Sequence, residues 1–451
     1  METVPERLEP LPEPVEVVNL DVPAPASAAV DSPGAPVPAP SPVPAPESAP
    51  PVRRSRRRAR AGGRRSLFAI TRTELMWIGV VYLSTRVLLL LAAYLLSSFG
   101  HHNFLHELAN WDGLWYRELA NHGYPDYPSH LQTTLGFFPL YPITIWTLEP
   151  LVALITGHNA IWSATVAGVI ISMIGGFVAT VLVYRLATGW WNRDSARRAT
   201  ILFCLFPGSV VFSMVYSEGL LLPLAAGCLL ALEHRRWLLA GILAGIGTAV
   251  QPSGLVLVVI CAVSAALELH RRGWRLNSLA ARRVLVAPIL SLAGVSAFAL
   301  FLWAWTGTPF ANYQAQHHGW GEKTDFFALV HLTTTLFGQI SPSHPNEPTV
   351  NLNLVVGLIG AFLLLGMLVL VWRARRTISV EAIVWTVGIS FLALTSEYVP
   401  PNPRMLITAF PALMVVAHYV RGKWFTWLAW GNGILLVVLS LLTFYGVTLR
   451  P

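Results

Sequence analysis

The feature that most constrains the fold is a series of long apolar runs that recur from Leu75 to Val447. They are rich in Leu, Val and Ala, and several approach the roughly twenty residues that an α-helix needs to cross a bilayer. The chain is 54% hydrophobic and only 12% charged. A membrane β-barrel would instead show short segments of alternating hydrophobicity. We therefore predict an all-α, polytopic integral membrane protein.

The N-terminal part differs sharply from the rest. Residues 1–52 alternate Pro with Ala, Val, Ser and Glu, a composition typical of disordered chain. Arginines cluster from Arg53 to Arg65, which predicts a cytoplasmic N-terminus by the positive-inside rule. The first apolar run lacks a small-residue cleavage site, so it does not resemble a removable signal peptide. We predict a disordered cytoplasmic tail over residues 1–72 and a membrane domain over residues 73–451.

The formal net charge of +8 does not indicate a nucleic-acid partner. The arginines cluster beside the apolar runs, as expected for a membrane protein. Membrane lipids are therefore the predicted partners, and nucleic acid is not. Cys204, Cys228 and Cys261 all lie inside apolar runs, where we expect small buried side chains and no disulfide framework.

One segment, Phe137 to Thr156, decides the predicted topology. If it crossed the membrane, Arg193, Arg197 and Arg198 would fall outside, against the positive-inside rule. Its prolines also suit a broken helix better than a lipid-facing span. We therefore expect a re-entrant or surface-lying segment on the outer face.

With that assignment we expect eleven crossings and an outer C-terminus, although the middle spans are shorter than a full crossing requires. The predicted spans are Thr73 to Phe99, Ala160 to Ala187, Thr200 to Val215, Gly219 to Leu232, Trp237 to Val250, Gly254 to Leu269, Val284 to Thr306, Leu352 to Trp372, Ala382 to Ser396, Met405 to Val420 and Trp424 to Val447.

This topology collects the interesting polar residues on the outer face. They lie in the loop 100–159, the turn Tyr216-Ser217-Glu218-Gly219, the loop 307–351 and the segment 398–404. A polar, aromatic surface of this kind suits a substrate that is linked to a lipid. We therefore predict one extracytoplasmic site.

Several short motifs occur in a fixed order. They are Trp111-Asp112-Gly113, Gly123-Tyr124, Phe137-Phe138-Pro139-Leu140-Tyr141-Pro142, Pro207-Gly208-Ser209, Tyr216-Ser217-Glu218, Gln316-His317-His318-Gly319-Trp320 and Pro403-Arg404-Met405. Together they resemble the PIG-V family, the second mannosyltransferase of GPI-anchor synthesis, and its bacterial relatives. The resemblance runs from about Arg86 to Ala417. It departs at Gln251-Pro252-Ser253, where the eukaryotic members have an Arg-Ser-Asn-like segment.

The resemblance implies a GT-C glycosyltransferase, a multi-helix membrane enzyme that moves mannose from a polyprenyl-phosphate carrier to an acceptor on the non-cytoplasmic face. The acceptor could be a glycolipid, a lipoglycan or a protein. The tail composition is typical of a high-GC bacterium and favours the plasma membrane. We expect no cofactor, because the phosphate carrier leaves as a stable monoester and does not require a metal. The adjacent histidine pairs also lack the spacing of a metal site.

Asp112 is the predicted catalytic base, since transfer with inversion needs a carboxylate to accept the acceptor's proton. The alternative is an Asp that caps a short helix from Gly113 to Ala120. Trp111 and Trp115 can pack against a sugar ring, and Tyr124 in the same loop is a further substrate-binding candidate. The family resemblance favours catalysis over capping.

Glu218 lies in an apolar setting, where an acid is costly unless it is paired or functional. We predict a supporting catalytic role, with a structural ion pair to Arg86 as the alternative. Arg86 could instead contact phosphate. Arg404 follows a proline at the end of a span, and its guanidinium can hold a phosphate by two hydrogen bonds. The alternative for Arg404 is a side chain that extends to the membrane interface.

His122, His317 and His318 are further candidates for contact with phosphate or sugar, although a loop histidine is more often a polar surface residue. Two other classes of protein fit the sequence. A transporter or scramblase of lipid-linked sugars would also need a polar cavity and broken helices. A non-catalytic protein that binds such lipids is the second alternative.

Overall fold

The computed structural model describes residues 70–100, 104–127, 131–275, 277–340, 351–397, 399–444 and 449–451. These residues belong to one compact unit that begins at Arg64. The predicted disordered tail, residues 1–72, lies almost entirely outside the described residues.

The described part of the chain is helical, and its only strand pairing is an isolated antiparallel bridge between Thr324 and Ser396. The prediction of an all-α protein is therefore confirmed. The longer α-helices are Arg72–Gly100, Asp112–His122, Leu140–Thr156, Ala160–Trp190, Arg193–Leu205, Glu218–Glu233, Trp237–Gly247, Val256–Arg271, Ala293–Thr306, Ala328–Ile340, Leu352–Ala374, Val380–Leu394, Phe410–Tyr419 and Gly422–Phe444. The shorter α-helices are Phe104–Leu108, Leu279–Arg282, Val286–Ser291, Ala311–Gln314 and Pro403–Thr408, and Pro207–Ser213 is the longest 3₁₀ helix.

Six helical segments within the described residues are long and apolar enough to cross a membrane, or seven if one bent pair counts as a span. The six are Arg72–Phe99, Ala160–Trp190, Pro252–Arg271, Arg283–Thr306, Leu352–Ala374 and Gly422–Phe444. Each agrees with a predicted span. The other predicted spans correspond to shorter or broken helices, so the count of eleven is not confirmed.

Two predicted spans are interrupted. Thr200 to Val215 is bent by 71° between Arg193–Leu205 and Pro207–Ser213, because a proline cannot continue the preceding helical hydrogen bonds. Met405 to Val420 is divided at Ala409 into Pro403–Thr408 and Phe410–Tyr419. Both breaks lie in segments that carry motif residues.

The segment expected to lie on the outer face forms the helix Leu140–Thr156, which is shorter than a full crossing requires. It packs beside the first half of Ala160–Trp190, to which a three-residue turn connects it. Tyr141 Oη donates a hydrogen bond to the Gly168 carbonyl at 3.0 Å. The two helices therefore form an antiparallel hairpin, while its side of the membrane stays a prediction.

Close packing between two helices positions Glu218. A Cβ atom on Gly175 would lie only 1.7 Å from the carbonyl oxygen of Gly219, so any side chain there would force the helices apart. The Ala160–Trp190 and Glu218–Glu233 helices can therefore touch at the point where the second one begins. Glu218, its first residue, is 4% exposed.

Candidate active site

The first functional side chain is supplied by the helix Asp112–His122, called here the aspartate helix. Asp112 is its first residue, and Trp111 before it has a φ angle of 61°, which is unusual for a residue with a side chain. A Cβ on Gly113 would lie 3.1 Å from the Val215 carbonyl oxygen, which favours glycine at this close approach. The motif Trp-Asp-Gly thus joins the first loop to the segment before Glu218.

The second side chain, Arg404, is held in a short helix that begins at Pro403. The Asn402 side chain accepts a hydrogen bond from the Met405 N–H at 3.0 Å and caps this helix. A Cβ on Gly208 would lie 2.0 Å from the Pro403 carbonyl oxygen, so only glycine allows the approach. The Pro-Gly-Ser and Pro-Arg-Met motifs are therefore packed against each other.

Asp112, Glu218 and Arg404 meet in one charged cluster. Arg404 Nη1 donates a hydrogen bond to Asp112 Oδ2, and Arg404 Nε lies 3.7 Å from Glu218 Oε1. Burial alone would lower the pKa of Arg404, but the two carboxylates outweigh it and hold that pKa above its ordinary value. The Arg404 side chain therefore points towards two acids within the fold, and not outwards as the interface alternative would require.

Tyr216 forms one wall of this cluster. Its ring centre lies 5.3 Å from the Arg404 guanidinium carbon, and its hydroxyl accepts a hydrogen bond from the Asp112 N–H at 3.3 Å. The same hydroxyl donates to the Asn110 carbonyl at 3.4 Å. Tyr216 is fully buried, so it fixes both the acid and the guanidinium.

Two buried polar atoms, one in the cluster and one in the residue that precedes Asp112, have no hydrogen-bond partner among the described residues. They are Glu218 Oε2 and Trp111 Nε1. Leaving such a group unpaired costs about 1–3 kcal/mol, so a buried orphan often indicates where a ligand or water binds. The Glu218 oxygen can accept a hydrogen bond from a ligand hydroxyl, and the Trp111 indole N–H can donate one to a ligand oxygen.

A chain of hydroxyl groups lies beside the cluster. Tyr116 Oη is 2.7 Å from Ser217 Oγ, and Ser217 Oγ donates to the side-chain oxygen of Gln251. Burial, followed by the nearby Asp112 and Glu218 carboxylates, raises the pKa of Tyr116 well above its ordinary value. Tyr116 therefore keeps its proton. Gln251 lies where the sequence departs from the eukaryotic members of the resembled family.

An aromatic group packs against the next turn of the aspartate helix. The Trp115 ring is stacked with Phe137 at 6.2 Å and meets Trp320 edge-on at 4.9 Å. Tyr124 Oη donates a hydrogen bond to the Phe137 carbonyl at 2.8 Å. The motif Gln316-His317-His318-Gly319-Trp320 therefore contacts the aspartate helix through Trp320. Part of the Trp115 ring is used in packing against protein and is not available to a sugar.

The structure does not bring every candidate to the cluster. Arg86 is fully buried, and its guanidinium donates to the carbonyls of Cys204 and Ser209 and to the hydroxyls of Ser209 and Ser213. It therefore braces the 3₁₀ helix Pro207–Ser213. The alternative of an arginine beside Glu218 is observed, but the arginine is Arg404 and the choice of Arg86 is wrong.

Two of the candidate histidines contact residues outside the cluster. His122 is exposed and pairs with Glu118 on the same helix at 3.0 Å. His317 stacks on Tyr313, and its ring centre is 4.9 Å from that of His318. Neither the His122 pair nor the His317 stack includes Asp112, Glu218 or Arg404.

The capping alternative for Asp112 is also not supported. The residue at the helix cap is Trp111, and no side chain caps the helix there. The Asp112 carboxylate instead bonds to Arg404, 292 positions away in sequence. Sequence reasoning did not single out Tyr216 or Tyr116 as site residues, although Tyr216 adjoins the recognised Ser217-Glu218 pair.

An apolar cavity of about 600 Å³ lies at the other end of the aspartate helix. It is formed by that helix, the start of Leu140–Thr156 and one face of Ala293–Thr306. Its lining includes Leu119, Tyr124, Pro142, Trp146, Phe298 and Phe301. Such a lining suits a hydrocarbon chain rather than a sugar.

The solved structures that match this protein have low sequence identity to it. The oligosaccharyltransferase of Archaeoglobus fulgidus in its apo form matches with a TM-score of 0.45 and 16% identity, over 80% of this chain and 56% of that chain. ArnT from Cupriavidus metallidurans, bound to undecaprenyl phosphate, matches with a TM-score of 0.44 and 14% identity, over 71% of this chain and 57% of that chain. The protein thus matches little more than half the length of either. No curated protein sequence matches it significantly.

A family model provides the assignment. The model described as mannosyltransferase (PIG-V) matches residues 79–322, more than half of the chain. The matched region contains Asp112 and Glu218, whereas Arg404 lies beyond it. The protein therefore belongs to the mannosyltransferase (PIG-V) family.

Proposed function

We propose that this protein is a GT-C-type membrane glycosyltransferase that moves mannose from a polyprenyl-phosphate-mannose donor to a hydroxyl of an extracytoplasmic acceptor, with inversion. The acceptor is a glycolipid, a lipoglycan or a protein. The observation that carries the proposal is the contact of Arg404 with both Asp112 and Glu218, in a chain of a mannosyltransferase family. The proposed reaction needs a cationic group to bind the donor phosphate and a carboxylate to accept the proton of the acceptor hydroxyl. Arg404 and Asp112 are candidates for these two tasks.

In the proposed reaction, Asp112 accepts the proton of the acceptor hydroxyl. The acceptor oxygen then forms a bond to the anomeric carbon from the face opposite the phosphate. The bond between that carbon and the phosphate oxygen breaks, and its electron pair leaves with polyprenyl phosphate. The atoms balance without a redox partner, and configuration inverts because attack and departure occur on opposite faces.

Arg404 has two tasks in this scheme. Without donor, its single positive charge offsets part of the negative charge of the two carboxylates, which would otherwise repel a phosphate more strongly. When donor binds, its planar fork can contact the phosphate and stabilise the charge that develops as the bond breaks. Contact with phosphate would weaken the hydrogen bond to Asp112 and leave that carboxylate a better base.

Glu218 has the supporting role. It is buried, one carboxylate oxygen faces Arg404, and the other has no partner among the described residues. A sugar hydroxyl of donor or acceptor would satisfy that second oxygen. Trp111, which precedes Asp112 and whose buried indole N–H has no partner among the described residues, is a further proposed contact. The apolar cavity is the proposed position of the polyprenyl chain.

The test is transfer of label from radiolabelled polyprenyl-phosphate-mannose by the purified protein in nanodiscs, with native membrane lipids and membrane proteins offered as acceptors. We expect Asp112→Asn to lower the rate by at least about 1,000-fold, as expected when a general base is lost. Glu118→Gln is the matched control, because Glu118 is a half-exposed acid on the same helix that pairs only with His122.

Transfer by the wild type and the control, but not by Asp112→Asn, supports the enzyme. Donor binding without transfer by any of the three proteins would point to a lipid-binding protein. Movement of intact donor across a sealed bilayer would instead indicate a scramblase.

A further inference from the structure

A second cavity, of about 440 Å³, lies between the helices Ala328–Ile340 and Leu352–Ala374 and the chain segment that precedes Arg404. Its size is within the range of roughly 300–1,000 Å³ that is usual for small-molecule sites. Every residue that lines it falls beyond residues 79–322, the region that the family model matches. The family assignment therefore gives this cavity no role.

The lining combines hydrogen-bonding and apolar groups. The polar residues include Asp325, His331, Asn353, Ser396, Glu397 and Arg450, and the apolar ones include Leu329, Leu332 and Pro400. Arg404 contacts both carboxylates of the charged cluster, whereas Glu397 has no cationic group within ion-pair distance among the described residues, so Glu397 disfavours an anionic ligand. Hydroxyl groups suit the lining well, because they can donate to carboxylates and accept from amide and guanidinium groups.

The rim of the cavity is fixed by backbone pairing. The Asp325 N–H donates to the Thr395 carbonyl at 2.8 Å, and the Glu397 N–H donates to the Lys323 carbonyl at 3.1 Å. Asp325 is further held by the Phe327 N–H at 2.8 Å and by His331 at 2.6 Å. The Glu397 carboxylate, in contrast, accepts no hydrogen bond from the described residues. It is positioned by its backbone and available to a ligand.

The cavity borders both segments that supply the reactive groups. The Arg450 guanidinium carbon lies 5.4 Å from the ring centre of Trp111, the residue before Asp112. On the other side, a Cβ on Gly360 would lie 2.3 Å from the Pro401 carbonyl oxygen, so the segment leading to Arg404 is tightly packed. Arg450, which lines the cavity, therefore connects it to Trp111, the residue before Asp112.

We propose that this cavity binds an uncharged, polyhydroxylated head group of the acceptor and directs one of its hydroxyls past Trp111 towards Asp112. The inference rests on the proposed transfer reaction. In this scheme the two substrates differ in charge and bind at different places. The anionic donor phosphate binds beside Arg404, and the neutral acceptor glycan binds beside Glu397.

Cysteine protection tests binding without relying on catalysis. Cys204, Cys228 and Cys261 are buried, so a single introduced thiol can be followed. Thr335 lines the cavity, whereas its exposed neighbour Thr334 on the same helix does not. The full chain carrying Thr335→Cys or Thr334→Cys is treated with a maleimide in nanodiscs, in the presence of octyl α-mannoside or farnesyl phosphate as probes.

We expect octyl α-mannoside to slow alkylation of Thr335→Cys but not of Thr334→Cys, and farnesyl phosphate to protect neither. Adding Glu397→Gln should raise the half-protecting concentration about tenfold, as expected for loss of one hydrogen bond to a charged group. Absence of protection at Thr335→Cys, or protection by farnesyl phosphate alone, would overturn the assignment. Protection that Glu397→Gln leaves unchanged would overturn the role of that carboxylate.

Kinetics separate this inference from the proposed function. In the transfer assay, Glu397→Gln should raise the half-saturating concentration of acceptor about tenfold and leave that of the donor unchanged. An increase in the half-saturating concentration of the donor alone would contradict the acceptor site but not the proposed enzymatic function. If the wild type transfers no label to any acceptor, the proposed function fails, and the alkylation result still decides whether the cavity binds a glycan.

Discussion

Arg404 is the residue on which the proposed chemistry most depends. It contacts two carboxylates and the ring of Tyr216, and lysine could not reproduce this geometry with a single ammonium group. We expect Arg404→Lys to lower the transfer rate about 100-fold, as is typical when one preorganised donor at a charge-developing atom is lost. The measurement is the initial rate of transfer at saturating donor.

Arg117→Lys is the control for this change. Arg117 is on the aspartate helix, and its one hydrogen bond among the described residues is a long contact to Thr165, at 3.5 Å. An equal loss of rate in both variants would show that the effect of Arg404→Lys is not specific to the cluster.

Arg86 illustrates a buried charge with a structural task. Its guanidinium donates to the carbonyls of Cys204 and Ser209, so Arg86→Met would remove both of these buried hydrogen bonds and leave the Cys204 carbonyl with the Ser209 hydroxyl as its donor. We expect the free energy of unfolding to fall by about 2 kcal/mol. Thermal unfolding followed by tryptophan fluorescence measures this, with the exposed Arg375→Met as control. Unchanged stability together with a higher KM for donor would instead support the predicted phosphate contact.

At the scale of elements, two interrupted helices build the site. The bend before Pro207 brings Gly208 against Pro403, and the short helix after Pro403 then directs Arg404 towards Asp112. A Cβ at position 208 would have to displace backbone atoms. We expect Gly208→Ala to lower the transfer rate at least about tenfold, because even a small displacement of a positioned group is costly.

Gly189→Ala is the matched control for this substitution. Gly189 lies in the helix Ala160–Trp190, and a Cβ there would meet nothing within 4 Å. Helical alanine is favoured over glycine, so this variant should be fully active and slightly more stable. Activity of Gly208→Ala at the level of Gly189→Ala would show that the Pro403 segment can move without cost.

For the whole molecule, the proposed topology places the loop that follows Asp112 and the short loop after Leu352–Ala374 on opposite sides of the membrane. We expect Asp126→Cys to react with a membrane-impermeant maleimide in intact cells, and Arg375→Cys to react only after permeabilisation. Both positions are exposed, and the native cysteines are buried. The opposite pattern would invert the predicted orientation and place the site in the cytoplasm.

The charge balance of the site also predicts its response to chelators. Arg404 already lies between Asp112 and Glu218, where it can supply the positive charge that a leaving phosphate needs. We expect EDTA to leave the transfer rate unchanged. A loss of rate that added Mg²⁺ or Mn²⁺ restores would show that a metal takes part.

The sequence by itself determined the membrane class and the main helices, because long apolar runs can be buried only in lipid or in a helical core. It also identified Asp112, Glu218 and Arg404 as unusual polar residues beside apolar segments. Each of these inferences depends only on which residues are neighbours in the sequence. The lengths of the middle helices were less predictable, since proline breaks and packing set them.

Only the tertiary structure decided which charges meet. The sequence allowed a pair of Glu218 with an arginine such as Arg86 as one alternative, but helix packing brings Arg404 to Glu218 and directs Arg86 to backbone carbonyls. Asp112 and Arg404 are 292 positions apart. Their contact depends on close approaches at glycines such as Gly113 and on a bend between helices, which are properties of packed surfaces. The hydrophobicity of a segment and the charges in it can therefore be read from that segment alone. The residue that a charged side chain contacts in a distant segment cannot be predicted in this way.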